Sequence, residues 1–469
     1  MKAIFEAQKV QFQNTFPMPY ASRITALDKL EAMLLDNEHA IIAAVNADFG
    51  QRVAQETQLL ELMPLLREIR HSKRHLKRWM RATKVMTDWV FWPSRARIMY
   101  QPLGVVGIMG AWNYPISLTL TPLANALAAG NAALIKPSEL APSTSALLAR
   151  LIAQTFESTQ VSVIEGDAQV AAAFSALPFD HLIFTGSGRI GKKVMAAAAQ
   201  NLTPVTLELG GKSPAIIDKD FSTQQAAERI ISAKLWNAGQ TCIAPDYVWV
   251  HASQKTAFIE AALATMQTRW GDFTQSADYS HMINEAAWQR MSDLVGSAVA
   301  QGARAHGVSA TQSVKPNPQH VFSPMLLSDV TDDMAVMQDE IFGPVLPIMT
   351  YDNFDEVLTY VNAHDKPLSL YYFDDNAKRV EQVLNQTHAG GVVVNDCMFH
   401  YAQSNLPFGG VGGSGMGAYH GHAGFLRFSA SKAVLLQSSL AAAVLNRLVK
   451  PPYTKWTDRL IRFLFRSRY

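Results

Sequence analysis

From about Ser22 to Trp79 apolar residues recur every three to four positions, as in LDKLEAMLLDNEHAIIAAV and LLELMPLLREIRHSKRHLKRWM, and this spacing predicts amphipathic helices. Around Arg95 the pattern changes: ARIMYQPLGVVGIMG is rich in apolar and β-branched residues and predicts strands broken at Pro102. Alternating units follow. They are a helix through TPLANALAAG, a strand AALIKP, a helix from Ser143 to Phe156 and a strand near VSVIE, then a strand HLIFT, a helix RIGKKVMAAAAQ and a strand VTLEL. Strands alternating with helices argue for a parallel sheet covered on both faces. After Gly211 a second series begins with a helix Thr223–Asn237, the strand YVWVH and a helix Lys255–Arg269, and continues through PVLPIMTY, SLYYF and GGVVVND. It predicts a second α/β unit.

Composition narrows the class without naming a function. At 469 residues the chain exceeds one compact core, so two or three domains are expected. Its 48% hydrophobic and 17% charged residues describe a globular protein. A net charge of +2 gives no support for a nucleic-acid partner. Two cysteines cannot build a disulfide framework and suit a reducing compartment. With no secretory pattern and no apolar run near the ~18 residues of a spanning helix, the cytoplasm is the expected location.

One of those cysteines, Cys242, lies in WNAGQTCIAPD, among small and polar neighbours rather than core aliphatics. Such a thiol is either a small buried hydrophobe or a nucleophile, and a nucleophile needs a base and an oxyanion site. FTGSGRIG follows a predicted strand and opens a helix. Gly186, Gly188 and Gly191, with Ser187, fit a turn that cradles phosphate, or merely a tight turn that needs glycine. Glu208 in VTLELGGK stands where a ribose-binding acid would, but it could equally be a catalytic base. Lys136, Ser138 and Glu139 in IKPSE could hold a sugar or form a solvated turn. Asn113 in GAWNYP could donate to an oxyanion or cap the next helix. Glu340 and Phe342 in DEIFGPV offer a hydroxyl acceptor and an apolar wall, or only a turn. LPFGGVGGSGMG is too glycine-rich for an ordinary element and implies a tightly folded loop.

Together these pieces resemble the aldehyde dehydrogenase superfamily, through WNYP, IKPSE, FTGS, LELGGK, GQTC, EIFGPV and LPFGGVGGSGMG in that order. Cys242 follows Glu208 by 34 residues, a spacing that also fits. The short N-terminus and SGMGAYHG are similar to the class 3 branch, and LPFDHLIFTGS, PVTLELGGKSP and NAGQTCIAPDYV to its bacterial coniferyl aldehyde dehydrogenases. One departure is Gly188, where class 3 members commonly carry Thr.

The resemblance implies a Rossmann-type cofactor domain (residues 1–79 and 102–209), a catalytic α/β domain (210–398) and a small β oligomerisation extension (80–101 and 399–437). It implies NAD(P)-dependent oxidation of an aldehyde to an acid, with Cys242 as nucleophile, Asn113 as oxyanion donor and Glu208 as water-activating base. Lys136, Ser138 and Glu139 would take the adenosine ribose, Gly186, Ser187, Gly188 and Gly191 the pyrophosphate, and Glu340 and Phe342 the nicotinamide end. NAD is favoured over NADP by Glu139, and a homodimer is expected. Trp112, Tyr114, Trp236 and Phe399 are candidates for an aromatic substrate tunnel, with a coniferyl-type or a medium- to long-chain aldehyde as substrate. A thiol hydrolase, a CoA-acylating enzyme and a non-catalytic scaffold are the rival classes. His420 and His422 lack a third ligand, so no metal is expected. The tail from 438 ends in KWTDRLIRFLFRSRY, a basic amphipathic helix that could lie on a membrane or pack on the protein.

Overall fold

The protein is described by a computed structural model covering residues 1–308 and 319–466. Its frame is two mostly parallel sheets. The first runs Gly415–Met416, Val205–Glu208, His181–Thr185, Val105–Met109, Ala132–Lys136 and Val161–Val163 in spatial order, parallel throughout except for the Gly415–Met416 edge. Chain order therefore reverses between Val105–Met109 and His181–Thr185. Ligands of doubly wound sheets bind outside the carboxyl ends of the strands at such a switch point. Asn113, Lys136, Gly186 and Glu208 all stand at or just beyond those ends.

The second sheet has seven strands, with Pro214–Ile217, Tyr247–His251 and Val345–Tyr351 at its centre and only Arg304–His306 antiparallel. Val105–Met109, Ala132–Lys136, His181–Thr185 and Pro214–Ile217 are buried end to end, which matches their apolar runs. A third sheet joins Thr83–Val85, Arg95–Pro102 and Ser429–Leu436 antiparallel; its residues come from both segments expected to bridge the domains.

The departures from the sequence reading include two that bear on the frame. The N-terminal Lys2–Thr15 is a helix that periodicity did not single out; it buries only Phe5 and Gln8, too few positions to make a stripe. Gln8 Nε2 donates to the Ala133 carbonyl at 3.0 Å and Phe5 packs on Phe179, so the helix clamps the first sheet. The helix from Thr223 ends at Leu235, before Asn237, which takes φ 53° and ψ 33°.

Candidate active site

Cys242 sits in the turn after the short helical segment Trp236–Gly239. Asn237 and Ala238 are both left-handed there, a conformation that costs a residue with a side chain about 1–3 kcal/mol and recurs at functional sites. Gly239 is also left-handed, and a Cβ on it would lie 2.3 Å from the Gly343 carbonyl oxygen. This close approach brings the nucleophile turn against the EIFGPV segment. Gln240 locks the turn: its Nε2 donates to the carbonyls of Asn237 and His281 at 3.0 Å, and its Oε1 accepts from Ile283 N–H.

The Cys242 thiol is half-buried and opens on a cavity of about 360 Å³. Tyr114, Trp236 and Phe399 line it, as expected, together with Tyr401 and Phe408, which the sequence reading missed. Trp112 does not. It turns away to pack edge-on against Phe342 at 5.5 Å and near Phe49, because Asn113 between the two aromatics is held inward. Leu59, Leu60 and Met63 complete the outer wall, where the helix widens into a π-turn at Gln58–Leu62. Such a bulge leaves no periodicity signal, so this wall could not be read from the sequence.

Asn113 is buried, its Nδ2 donating one hydrogen to the Gln240 carbonyl at 3.1 Å. Its alternative use as a helix cap is not the one found: Ile116 occupies the cap of Ser117–Ala129, and the Glu61 carboxylate accepts the Ile116 and Ser117 N–H groups instead.

Glu208 ends its strand with both carboxylate oxygens buried and free of hydrogen-bond partners. Burial pushes its carboxyl well above the usual range, opposed only by the charge of Arg427. The Cys242 thiol is also pushed up, first by burial and then by the nearby negative charges of Glu340 and Glu208. Cys242, Glu208 and Glu340 thus share one electrostatic neighbourhood. Glu340 packs directly on Gly210, where an added Cβ would fall 1.9 Å from its carboxylate. Burial and Asp246 raise Glu340 to about 8. Phe342 is left-handed at φ 48°. The segment is anchored by Lys212, which pairs with Asp246 and donates to the carbonyls of Val336 and Asp339. Those anchors lie far apart in sequence, and no motif announces them.

The residues expected to hold the dinucleotide stand at the switch point. Helix Gly188–Ala199 begins after Ser187 with no side-chain cap, which leaves its first amides open for an anion. Gly186 is required by packing, since a Cβ there would meet the Phe184 ring at 2.6 Å; around Gly188 there is open space. Lys136 is buried and bonds Glu139 at 2.5 Å, so this pair is an ordered ion pair rather than a solvated turn. Ser138 accepts the Leu140 N–H at 3.3 Å. A helix start without a side-chain cap, a glycine turn and the carboxylate of Glu139 are groups that fit a nicotinamide dinucleotide. Among the described residues no cluster of three His, Cys, Asp or Glu could hold a metal ion. His420 is stacked on Phe408 in the interior.

The family profile for the "Aldehyde dehydrogenase family" matches residues 1–434. The chain belongs to that family. The enzyme is 44% identical over 443 residues to the coniferyl aldehyde dehydrogenase of a Pseudomonas species, covering 94% of this chain and 91% of the relative. It is 38% identical to the 4,4'-diaponeurosporen-aldehyde dehydrogenase of Staphylococcus aureus, covering 99% and 98% of the two chains. Its fold superposes on the substrate-bound state of Staphylococcus aureus AldH with a TM-score of 0.92 at 37% identity, over 99% of each chain. It is therefore an aldehyde dehydrogenase of Rossmann-type architecture that uses a nicotinamide cofactor.

Proposed function

We propose that the enzyme oxidises aromatic aldehydes of the coniferyl type with NAD, through covalent chemistry at Cys242. The carrying observation is the cavity: a half-buried thiol at the floor of a space walled by Tyr114, Trp236, Phe399, Tyr401 and Phe408. A planar aryl-propenal stacks on such walls with little entropy loss. The resemblance to coniferyl aldehyde dehydrogenases supports the same substrate class.

Cys242 gives its proton to solvent, the thiolate Sγ bonds to the aldehyde carbon, and the C=O π pair moves onto oxygen to make an oxyanion. The second Nδ2 hydrogen of Asn113 and the Cys242 backbone N–H are its donors, in a site where donors fixed beforehand count most. When bound, the dinucleotide supplies the hydride acceptor and a positive charge near the thiol. Loss of hydride leaves an acyl group on sulfur. Glu208 then takes a proton from water, whose oxygen attacks the acyl carbon, and the Cys242 thiolate departs. Its unpaired, buried carboxylate suits that role better than ribose binding. The Gly186–Gly191 turn would hold the pyrophosphate, Lys136, Ser138 and Glu139 the adenosine ribose, and Glu340 with Phe342 the nicotinamide end. NAD is preferred because Glu139 engages Lys136 and its carboxylate would repel a 2′-phosphate.

The biological unit is proposed to be a homodimer, formed through the third sheet, whose outer strands Thr83–Val85 and Ser429–Leu436 have open edges. The tail is proposed to touch an anionic membrane surface from the cytoplasm. In helix Lys455–Arg466 the apolar Trp456 and Phe463 are 66% and 59% exposed, with Lys455, Arg459, Arg462 and Arg466 around them. No described helix is long and apolar enough to cross a bilayer. A panel of coniferyl aldehyde, benzaldehyde, octanal and hexadecanal, run with NAD and NADP, tests the substrate reading. The highest kcat/KM is expected for coniferyl aldehyde with NAD; a preference for hexadecanal would replace it with the fatty-aldehyde reading.

A further inference from the structure

Three buried charged side chains that take no part in the chemistry meet directly behind Asn113. Arg52 lies in the short connection between helices Glu38–Phe49 and Ala54–Thr57, and its side chain is wholly buried. Its Nη1 donates to the Asn113 carbonyl at 3.1 Å, and its guanidinium lies 4.8 Å over the Tyr114 ring. Asn237 Nδ2 donates to the same carbonyl at 2.9 Å. Glu56, 3.5 Å from Arg52 Nε, accepts the backbone N–H of Asn237 at 3.0 Å and the Ser280 hydroxyl at 2.7 Å. Glu61, on the other side of Arg52, holds the N–H groups of Ile116 and Ser117. The Tyr114 hydroxyl bonds Thr241, the neighbour of Cys242, at 2.7 Å.

One guanidinium therefore grips the turn that carries the oxyanion donor. The acid beside it grips the start of the turn that carries the nucleophile. A buried ion cluster is weak as a source of stability, because apolar residues of similar volume often serve as well. Its value here is geometric. Both ends of Asn113 are fixed, the carbonyl by Arg52 and Asn237 and the side chain by Gln240.

We propose that Arg52 is a positioning residue, clamping the Asn113 carbonyl so that the Asn113 amide stays aimed at the oxygen of the Cys242 adduct. Lysine cannot replace it fully, since a point charge lacks the planar fork that stacks on Tyr114 while reaching the carbonyl.

The inference rests on Asn113 as the oxyanion donor, which Asn113→Ala tests by itself: its NADH burst is expected to slow by about 10²–10³-fold. An unchanged burst in that variant overturns the donor assignment and the clamp with it. The clamp is then tested by a double-mutant cycle. In the otherwise native enzyme, Arg52→Met is expected to slow the burst by roughly 10²-fold, the scale of a 1 Å misplacement. In the Asn113→Ala background it is expected to slow it no further than about threefold, since coupled residues are non-additive. NAD affinity, read by fluorescence titration, is expected to stay within the same threefold. Arg52→Lys keeps the buried charge and runs the same cycle should the Met variant not fold. Equal slowing in both backgrounds, or none in either, overturns the proposal, because a merely structural arginine would harm both alike.

Discussion

At the residue scale, the site sets two groups against their own chemistry. The nucleophile is a thiol whose ionisation burial opposes, and the base is a carboxyl whose ionisation burial opposes as well. Both become competent only when something offsets the desolvation: a positive charge beside the sulfur, and water or a rotamer change at Glu208. Replacing the base should separate the two half-reactions. With Glu208→Gln the first equivalent of NADH is expected to appear in a burst, while steady turnover falls at least about a hundredfold, the low end of general-base effects. Stopped-flow absorbance reads both phases. Loss of the burst together with weakened NAD binding would return Glu208 to the ribose-ligand role.

At the element scale, the strand ends and the two glycine turns do most of the placing. Much of this was legible: strand–turn–helix around Gly186, Glu208 at a strand end and Cys242 in a loop all follow from local pattern. Other parts were not. The π-turn Gln58–Leu62 that walls the cavity looks like ordinary helix in periodicity, and nothing in the local pattern marks Arg52, Glu56 and Glu61 as buried. Their partners Asn113, Asn237 and Ser280 are distant in sequence, and only the folded chain shows that the three are buried. Trp112 and Tyr114 illustrate the same limit, since neighbours of one asparagine point to different places. The tail helix belongs to this scale too. Its Trp456 and Phe463 are largely exposed, and Phe463 meets Trp89 edge-on at 6.1 Å. Full-length enzyme is expected to pellet with phosphatidylserine vesicles but not with phosphatidylcholine ones. A chain ending at Lys450 is expected to stay in solution; equal pelleting of the two would dismiss the membrane contact.

For the whole molecule, the junction between the sheets concentrates buried acids, and this gives stability a pH dependence of known sign. Burial holds Glu61 at about 7 and Glu340 at about 8, and Glu208 well above its ordinary value. An unfolded glutamate titrates near ~4.3. A folded value raised above the unfolded one contributes stability that is present at low pH and lost as pH rises through the folded value. The melting temperature is therefore expected to fall between about pH 5 and pH 8, and to fall less in Glu208→Gln, which cannot ionise. A flat profile, or an identical slope in the variant, would show that these carboxyls ionise freely in the folded state.

The covalent step can be caught directly. Glu208→Gln enzyme mixed with NAD and coniferyl aldehyde, quenched in acid and digested, should carry the aryl-propenoyl mass on the peptide holding Cys242 and none on that holding Cys397. An unmodified Cys242 peptide after a full equivalent of NADH has formed would contradict the thioester route.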